Sequence, residues 1–194
     1  MKRLILVIIF IFALNPTGFA ANVIPAEEIL KENINIVIDV LDSESIPVDA
    51  KKERIDTILS PLFDFPTMAK LSMGKSGWRG LNPSDRDTFT TLYTRHLKSS
   101  YLDNVIYYTN ETVVYDPPIR HNPKKVQIST ILMSNNKKIT LTYKMYLSKE
   151  CWKIYDVEVQ GVSLVRSYQS QISEILKSGT INDVFDMLNT PKQN

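Results

Sequence analysis

No stretch constrains the fold of this chain more than Trp152 to Ile172, which reads Trp-Lys-Ile-Tyr-Asp-Val-Glu-Val-Gln-Gly-Val-Ser-Leu-Val-Arg-Ser-Tyr-Gln-Ser-Gln-Ile. A β-rich run passes through a single glycine, Gly161, into an amphipathic helix with almost no loop. A strand that feeds a helix so directly makes the helix fold back near its own sheet. The apolar face of that helix, Leu164, Val165, Tyr168 and Ile172, recurs at helical spacing and must meet the sheet. The strand carries a phase error. Trp152 and Ile154 share one parity, Val157 and Val159 the other, so a strict period of two would set them on opposite faces. A bulge at Tyr155-Asp156 restores one apolar face; a central strand buried on both sides is the alternative.

The rest of the chain supplies helices first and strands second. Apolar residues at Ile29, Leu30, Ile34, Val37 and Leu41 predict a helix over Pro25–Leu41, and Pro47 opens a second that ends near Pro61. A short helix with Met68 and Leu71 is expected to stop at Gly74. Asn82-Pro83-Ser84-Asp85 combines a cap, a first-turn proline and an acid at the positive end of the helix dipole. The helix it starts buries a broad, aromatic face of Phe89, Leu92, Tyr93, His96, Leu97 and Tyr101.

After Asn104 the period becomes alternating. Thr112–Tyr115 reads as a strand, followed by a loop to Lys125 that carries Arg120, His121 and Lys124. Val126, Ile128, Thr130 and Leu132 form one face of the next strand, Asn135-Asn136 marks a hairpin, and Ile139, Leu141, Tyr143, Met145 and Leu147 face the same way on the return. The closing helix ends at Gly179, and Thr180 starts a last short one through Leu188. This order predicts an α+β fold with helices packed on one face of a curved antiparallel sheet.

Residues 1–20 have the grammar of a secretory signal peptide: Lys2-Arg3, an apolar run from Leu4 to Leu14, then Gly18-Phe19-Ala20 before the cut. Residues 21–194 are then one domain. Losing Lys2 and Arg3 lowers Lys+Arg from 23 to 21, equal to Asp+Glu at 21. A formally neutral, soluble mature chain lacks the basic excess of a nucleic-acid binder, so no nucleic-acid partner is expected. Cys151 is the one cysteine, which rules out an internal disulfide.

Motif chemistry is sparse. The two histidines, His96 and His121, are twenty-five residues apart, and no Cys-x-x-Cys, phosphate loop or nucleophile elbow is present. His96 reads as a hydrogen-bonded core residue. Neither a metal nor a cofactor is expected. Asp156 with a tyrosine such as Tyr143 is the one pair that a pocket enzyme could use as acid and base. What remains is an excess of apolar and aromatic surface on elements that face one another.

Three blocks resemble the MlaC family of periplasmic phospholipid-binding proteins, also called the toluene-tolerance auxiliary family. They are Phe63-Asp64-Phe65-x-x-Met68-Ala69 with Leu71, Gly74 and Trp78-Arg79; the Pro83–Tyr101 helix with Phe89, Leu97 and Tyr101; and Trp152–Val157 with Gly161–Val165, Tyr168, Ser170 and Gln171. Gln160, Gln169 and Ile172 depart from the family's usual acidic residue, arginine and phenylalanine.

The resemblance implies a fold similar to nuclear transport factor two with a deep apolar cavity. It also implies a non-enzymatic periplasmic carrier of glycerophospholipid, the bound lipid being cargo. Its partners would be an outer-membrane lipoprotein complex and an inner-membrane ABC transporter complex with its substrate-binding subunit, in the service of outer-membrane lipid asymmetry. A hopanoid-associated relative is the alternative. On this reading Met68, Leu71, Trp78, Leu92, Tyr93, Leu97 and Tyr101 form the helical wall of the cavity. Ile128, Thr130, Leu141, Tyr143, Met145 and Val157 form the sheet wall, and Val162, Leu164, Val165, Tyr168 and Ile172 close it. Arg120, His121, Lys124 and Lys125 are placed in a solvated loop that could also meet a phosphate or a partner.

Overall fold

The computed structural model describes residues 23–106, 112–134 and 137–190. The expected signal peptide, residues 1–20, and the expected hairpin turn at Asn135-Asn136 lie outside these residues. Four helices come first: α1 (Ala26–Asp42), α2 (Val48–Leu59), α3 (Phe65–Gly80) and α4 (Pro83–Val105), with a 3-10 turn at Ser60–Leu62. Then follow β1 (Thr112–Tyr115), β2 (Ile119–Asn122), β3 (Lys125–Ser134), β4 (Lys137–Ser148), β5 (Cys151–Val159) and β6 (Val162–Ser163). Helices α5 (Leu164–Ser178) and α6 (Ile181–Asn189) close the chain. The fold is α+β, and its sheet is antiparallel in the order β1-β3-β4-β5-β6, with β2 also on β3.

Local chemistry explains most boundaries. Asn82 caps α4 by accepting from the Asp85 amide at 2.9 Å, and Ser163 caps α5 by accepting from the Arg166 amide. Thr180 and Asp183 form a reciprocal capping box at α6. The parity break in the last long strand is a bulge: Lys144 pairs with Asp156 and Met145 with Ile154, leaving Tyr155 as the extra residue.

Three expectations change. The stretch Ile119–Asn122, read as loop, is a strand, because it pairs across Val126 and Gln127 in spite of its polar sequence. The helix expected to stop at Gly74 instead bends there and continues to Gly80. Gly74 takes φ 75°, and a Cβ at this position would stand 3.0 Å from the Gln169 side chain on α5. Both facts favour glycine at a kink pressed on a neighbouring helix. Finally, Gly161 does not lead straight into the helix. Gln160 and Gly161 both have positive φ, 51° and 79°, as a two-residue hairpin turn requires, so the chain first returns along β5 as β6.

Apolar packing falls into three bodies. Helices α3, α4, α5 and α6 enclose the largest, which includes Met68, Phe89, Tyr93, Tyr168, Ile172 and Val184. A second lies between the sheet and the start of α1: Ala26 and Leu30 cover Val126, Ile128, Met145 and Trp152. The third is small and joins α1 to α2 through Val37, Leu41 and Ile55.

Candidate functional site

Helix α1 starts packed on the sheet and ends packed on α2, so its middle bridges a gap. That gap is a cavity of about 490 Å³, within the few-hundred to thousand Å³ range of ligand pockets. The sheet's inner face divides at Ile128. Below it Val126, Ile128, Met145 and Trp152 are buried; above it Thr130, Leu132, Ile139 and Leu141 face open volume.

Helix α1 contributes Leu30, Ile34, Val37, Ile38 and Leu41, one face over three turns. Helix α4 contributes Leu97, Tyr101 and Val105, and Phe63, Phe65 and Met68 reach in from the start of α3. From the far side come Ile154, Val157, Val159, Leu164 and Tyr168. The ring of Phe63 stacks between Phe65 and Tyr101, with centroids 5.3 and 6.1 Å away.

Polar groups in the lining are few and placed at two levels. Asp42, Ser100 and Asn104 stand at the C-terminal ends of α1 and α4, where the wall becomes exposed and the cavity opens. Deeper, Thr130 and Tyr143 put hydroxyls on the sheet wall. Burial pushes the Tyr143 hydroxyl up to about 12, against the pull of the Thr130 hydroxyl beside it. Tyr143 therefore stays neutral near neutral pH.

Of the residues assigned to the cavity from sequence, Met68, Leu97 and Tyr101 line it on the helical side. Thr130, Leu141, Tyr143 and Val157 line it on the sheet, and Leu164 and Tyr168 on the closing side. Nine others sit elsewhere. Tyr93, Val165 and Ile172 are buried in the helical core, with Leu92 and Trp78 packed at its margin. Tyr93 shares a 2.7 Å hydrogen bond with Ser72, an inward polar tie that fixes α4 to α3. Trp78 also carries Arg86 over its ring on the outside of the helices. Ile128 and Met145 lie below the cavity floor. Leu71 is 41% exposed on the outer side of α3, and Val162 is 60% exposed on the edge strand. Core and cavity positions obey the same periodicity, which is why the pattern alone did not separate them.

The largest single share of the lining that sequence reasoning missed comes from α1, whose apolar stripe was legible but had no partner assigned. Leu132 and Ile139 were findable too, since they share strand parity with Thr130 and Leu141.

The supposed acid–base pair does not form. Tyr143 pairs with Val157 on the cavity face, whereas Asp156 pairs with Lys144 on the other. The Asp156 carboxylate accepts from Ser163 Oγ at 2.7 Å, Lys144 Nζ at 3.1 Å and the Val165 amide at 3.2 Å. It acts as an N-terminal tie for α5. His96 is a core residue, its Nδ1 3.0 Å from the Leu188 carbonyl oxygen. In the supposed solvated loop, Arg120 lies on β2 and its guanidinium grips the Glu27 carboxylate of α1 at 2.6 and 2.7 Å. His121, Lys124 and Lys125 are exposed.

Fold and site together define an α+β protein built around an internal apolar cavity that opens at a polar rim. Family comparison makes the class specific: residues 31–190 match the family model described as MlaC protein, and the chain belongs to the MlaC family. It is similar to the toluene tolerance protein ttg2D of Pseudomonas putida, 21% identical over 126 residues that cover 64% of this chain and 59% of that protein's length. Its fold is similar to the solved structure of a phospholipid-binding protein from Ralstonia solanacearum in complex with a phospholipid. That match has a TM-score of 0.74 at 20% identity and covers 86% of this chain and 96% of the other. Among the described residues, no helix is long and apolar enough to cross a membrane.

Proposed function

We propose that this chain is a periplasmic lipid carrier, led to that compartment by residues 1–20 as a signal peptide, with residues 21–194 as one lipid-binding domain. It would hold glycerophospholipid acyl chains in the cavity and leave the head group in water at the rim of Asp42, Ser100 and Asn104. The observation that carries this reading is the volume of about 490 Å³ left open between α1, α4 and the sheet, walled by aliphatic and aromatic side chains. Each methylene exposed to water costs about 0.8 kcal/mol. A two-tailed lipid therefore needs a dry container to cross an aqueous space. Unspecific apolar walls also let cargo go, which directed hydrogen bonds would oppose.

Family membership and the phospholipid in the structurally similar protein support the same reading. The carrier would exchange lipid with an outer-membrane lipoprotein complex and an inner-membrane ABC transporter complex, maintaining outer-membrane lipid asymmetry. No cofactor is part of this proposal. Engagement of Asp156 by Lys144, Ser163 and the Val165 amide, away from Tyr143, favours a carrier over a pocket enzyme.

The test is organic extraction of the folded, monodisperse protein purified from a bacterial host, followed by mass spectrometry. Stoichiometric phospholipid is the expected result, and a lipid-free extract would overturn the proposal. An extract dominated by a hopanoid would move the cargo class and leave the cavity's role in place.

A further inference from the structure

The cavity is covered on one side by the hairpin of α1 and α2, and that hairpin is held unevenly. At its start, Ala26 and Leu30 are buried in the sheet's core. Beyond Leu30, the hairpin's own cluster holds three buried side chains, Val37, Leu41 and Ile55, against twelve in the core of α3 to α6. Segments with few buried apolar side chains open locally at low free energy, and moving lids are drawn from them.

The fastening to α4 combines apolar packing of Tyr101, Leu102 and Val105 on the hairpin's cluster with a group of polar ties. Asp56 on α2 accepts from the Tyr101 hydroxyl at 2.7 Å, from Lys98 Nζ at 3.0 Å and from Ser60 Oγ at 2.6 Å. Close by, Lys52 Nζ lies 2.7 Å from Asp103. Tyr101 belongs to two places at once: its ring lines the cavity and stacks on Phe63, while its hydroxyl ends on Asp56. A change in what presses on that ring is a change in the geometry of the fastening.

Resting on the lipid-carrier reading, we propose that the α1–α2 hairpin beyond Leu30 is the lid through which cargo enters and leaves. Asp56, Tyr101 and Lys98 form its latch, and Tyr101 couples the cavity's contents to that latch. The lid swings about the anchored start of α1. It exposes the Ile34-to-Leu41 face and opens the rim at Asp42 and Asn104 sideways, so an acyl chain can leave along its length.

The experiment loads the protein with a fluorescent phosphatidylethanolamine and follows transfer to phosphatidylcholine vesicles. Tyr101→Phe keeps the ring and removes the hydroxyl, while Asp56→Asn removes the charge that Tyr101, Lys98 and Ser60 share. Each is expected to raise the transfer rate about five- to tenfold, the worth of a charge-assisted hydrogen bond discounted for partial exposure. A short bismaleimide joining Lys52→Cys to Asp103→Cys, in a Cys151→Ser background, is expected to bring transfer close to the vesicle-only rate. Folded, loaded variants that transfer at the wild-type rate, or a cross-linked protein that transfers unimpeded, would overturn the lid. If no form takes up the fluorescent lipid, the carrier reading falls, and amide hydrogen exchange then decides the lid alone. Joint, faster exchange of 34–59 than of α3 to α6 supports it, and uniform protection overturns it.

Discussion

The helical core and the cavity wall are made of the same residue types and differ in what lies opposite each side chain. In the core, Tyr93 meets Tyr168 edge-on at 5.3 Å, Phe89 tilts against Tyr93, and Tyr168 is flanked by His96. Two polar ties there join protein to protein: Ser72 to Tyr93, and His96 Nδ1 to the end of α6. In the cavity wall, Ile139, Leu141 and Val159 alternate on their strands as core residues do, yet their outer atoms face open space. The difference arises because α1 is anchored to the sheet at one end and to α2 at the other. Apolar pattern thus makes a surface that must be covered; topology decides whether protein or cargo covers it.

Truncation should separate the two regions most strongly. Phe89→Ala leaves a hole in a closed core and should lower the unfolding free energy by about 3–5 kcal/mol in a denaturant melt. Leu141→Ala, whose side chain already borders a void, should cost well under half of that. Equal losses would mean that the wall is as tightly packed as the core.

Breaking the joint between the regions comes next. Asp156→Ala leaves Lys144 with Glu158 alone and unties Ser163 and the Val165 amide at the start of α5, and should cost about 3 kcal/mol. Asp156→Asn, which can still accept from Ser163 and the Val165 amide, should cost less. A third comparison runs in the opposite direction. Ala69→Leu overfills the helical core and should destabilise by about 1–3 kcal/mol, whereas Leu141→Trp grows into empty volume and should leave the melting temperature of the lipid-free protein nearly unchanged.

How far the sequence disclosed this follows from the same contrast. Element order, the bulge beside Asp156 and the α4 cap were legible because period, parity and capping chemistry act locally. Strand β2 was not, since Arg120 and His121 carry no strand pattern and pairing with β3 makes the strand. The cavity's sheet wall followed partly from parity. Core and wall did not separate because Tyr93 on the helical side, and Val165 and Ile172 on the closing side, look in sequence like Leu97, Leu164 and Tyr168. Which of them faces a void depends on where α1 stands, and that is set by contacts far apart in the chain.

The smallest expected effect is a pH dependence of two carboxylate ties, Asp56 in the hairpin's fastening and Asp64 at the start of α3. Burial alone would raise the carboxyls of Asp56 and Asp64. Hydrogen bonds from Ser60, Tyr101 and Lys98 to the first, and from Tyr146 and Thr67 to the second, outweigh it and hold both below their ordinary value of 3.8. A carboxyl depressed in the folded state stabilises at pH above its unfolded value, and the contribution is lost as pH falls through the folded one. Stability should therefore be flat in this respect down to about pH 4 and decline below it. Asp56→Asn should flatten that decline in a pH series of thermal melts, and an unchanged acid limb would remove Asp56 from the fastening.

The most direct test of the central claim, that the space between α1, α4 and the sheet is where cargo sits, is lipid stoichiometry in Leu141→Trp. The measurement is phospholipid per protein by quantitative mass spectrometry, beside the wild type and with melting temperature recorded. The account predicts a folded variant with its bound lipid largely lost. A folded Leu141→Trp protein that carries as much lipid as the wild type would contradict it.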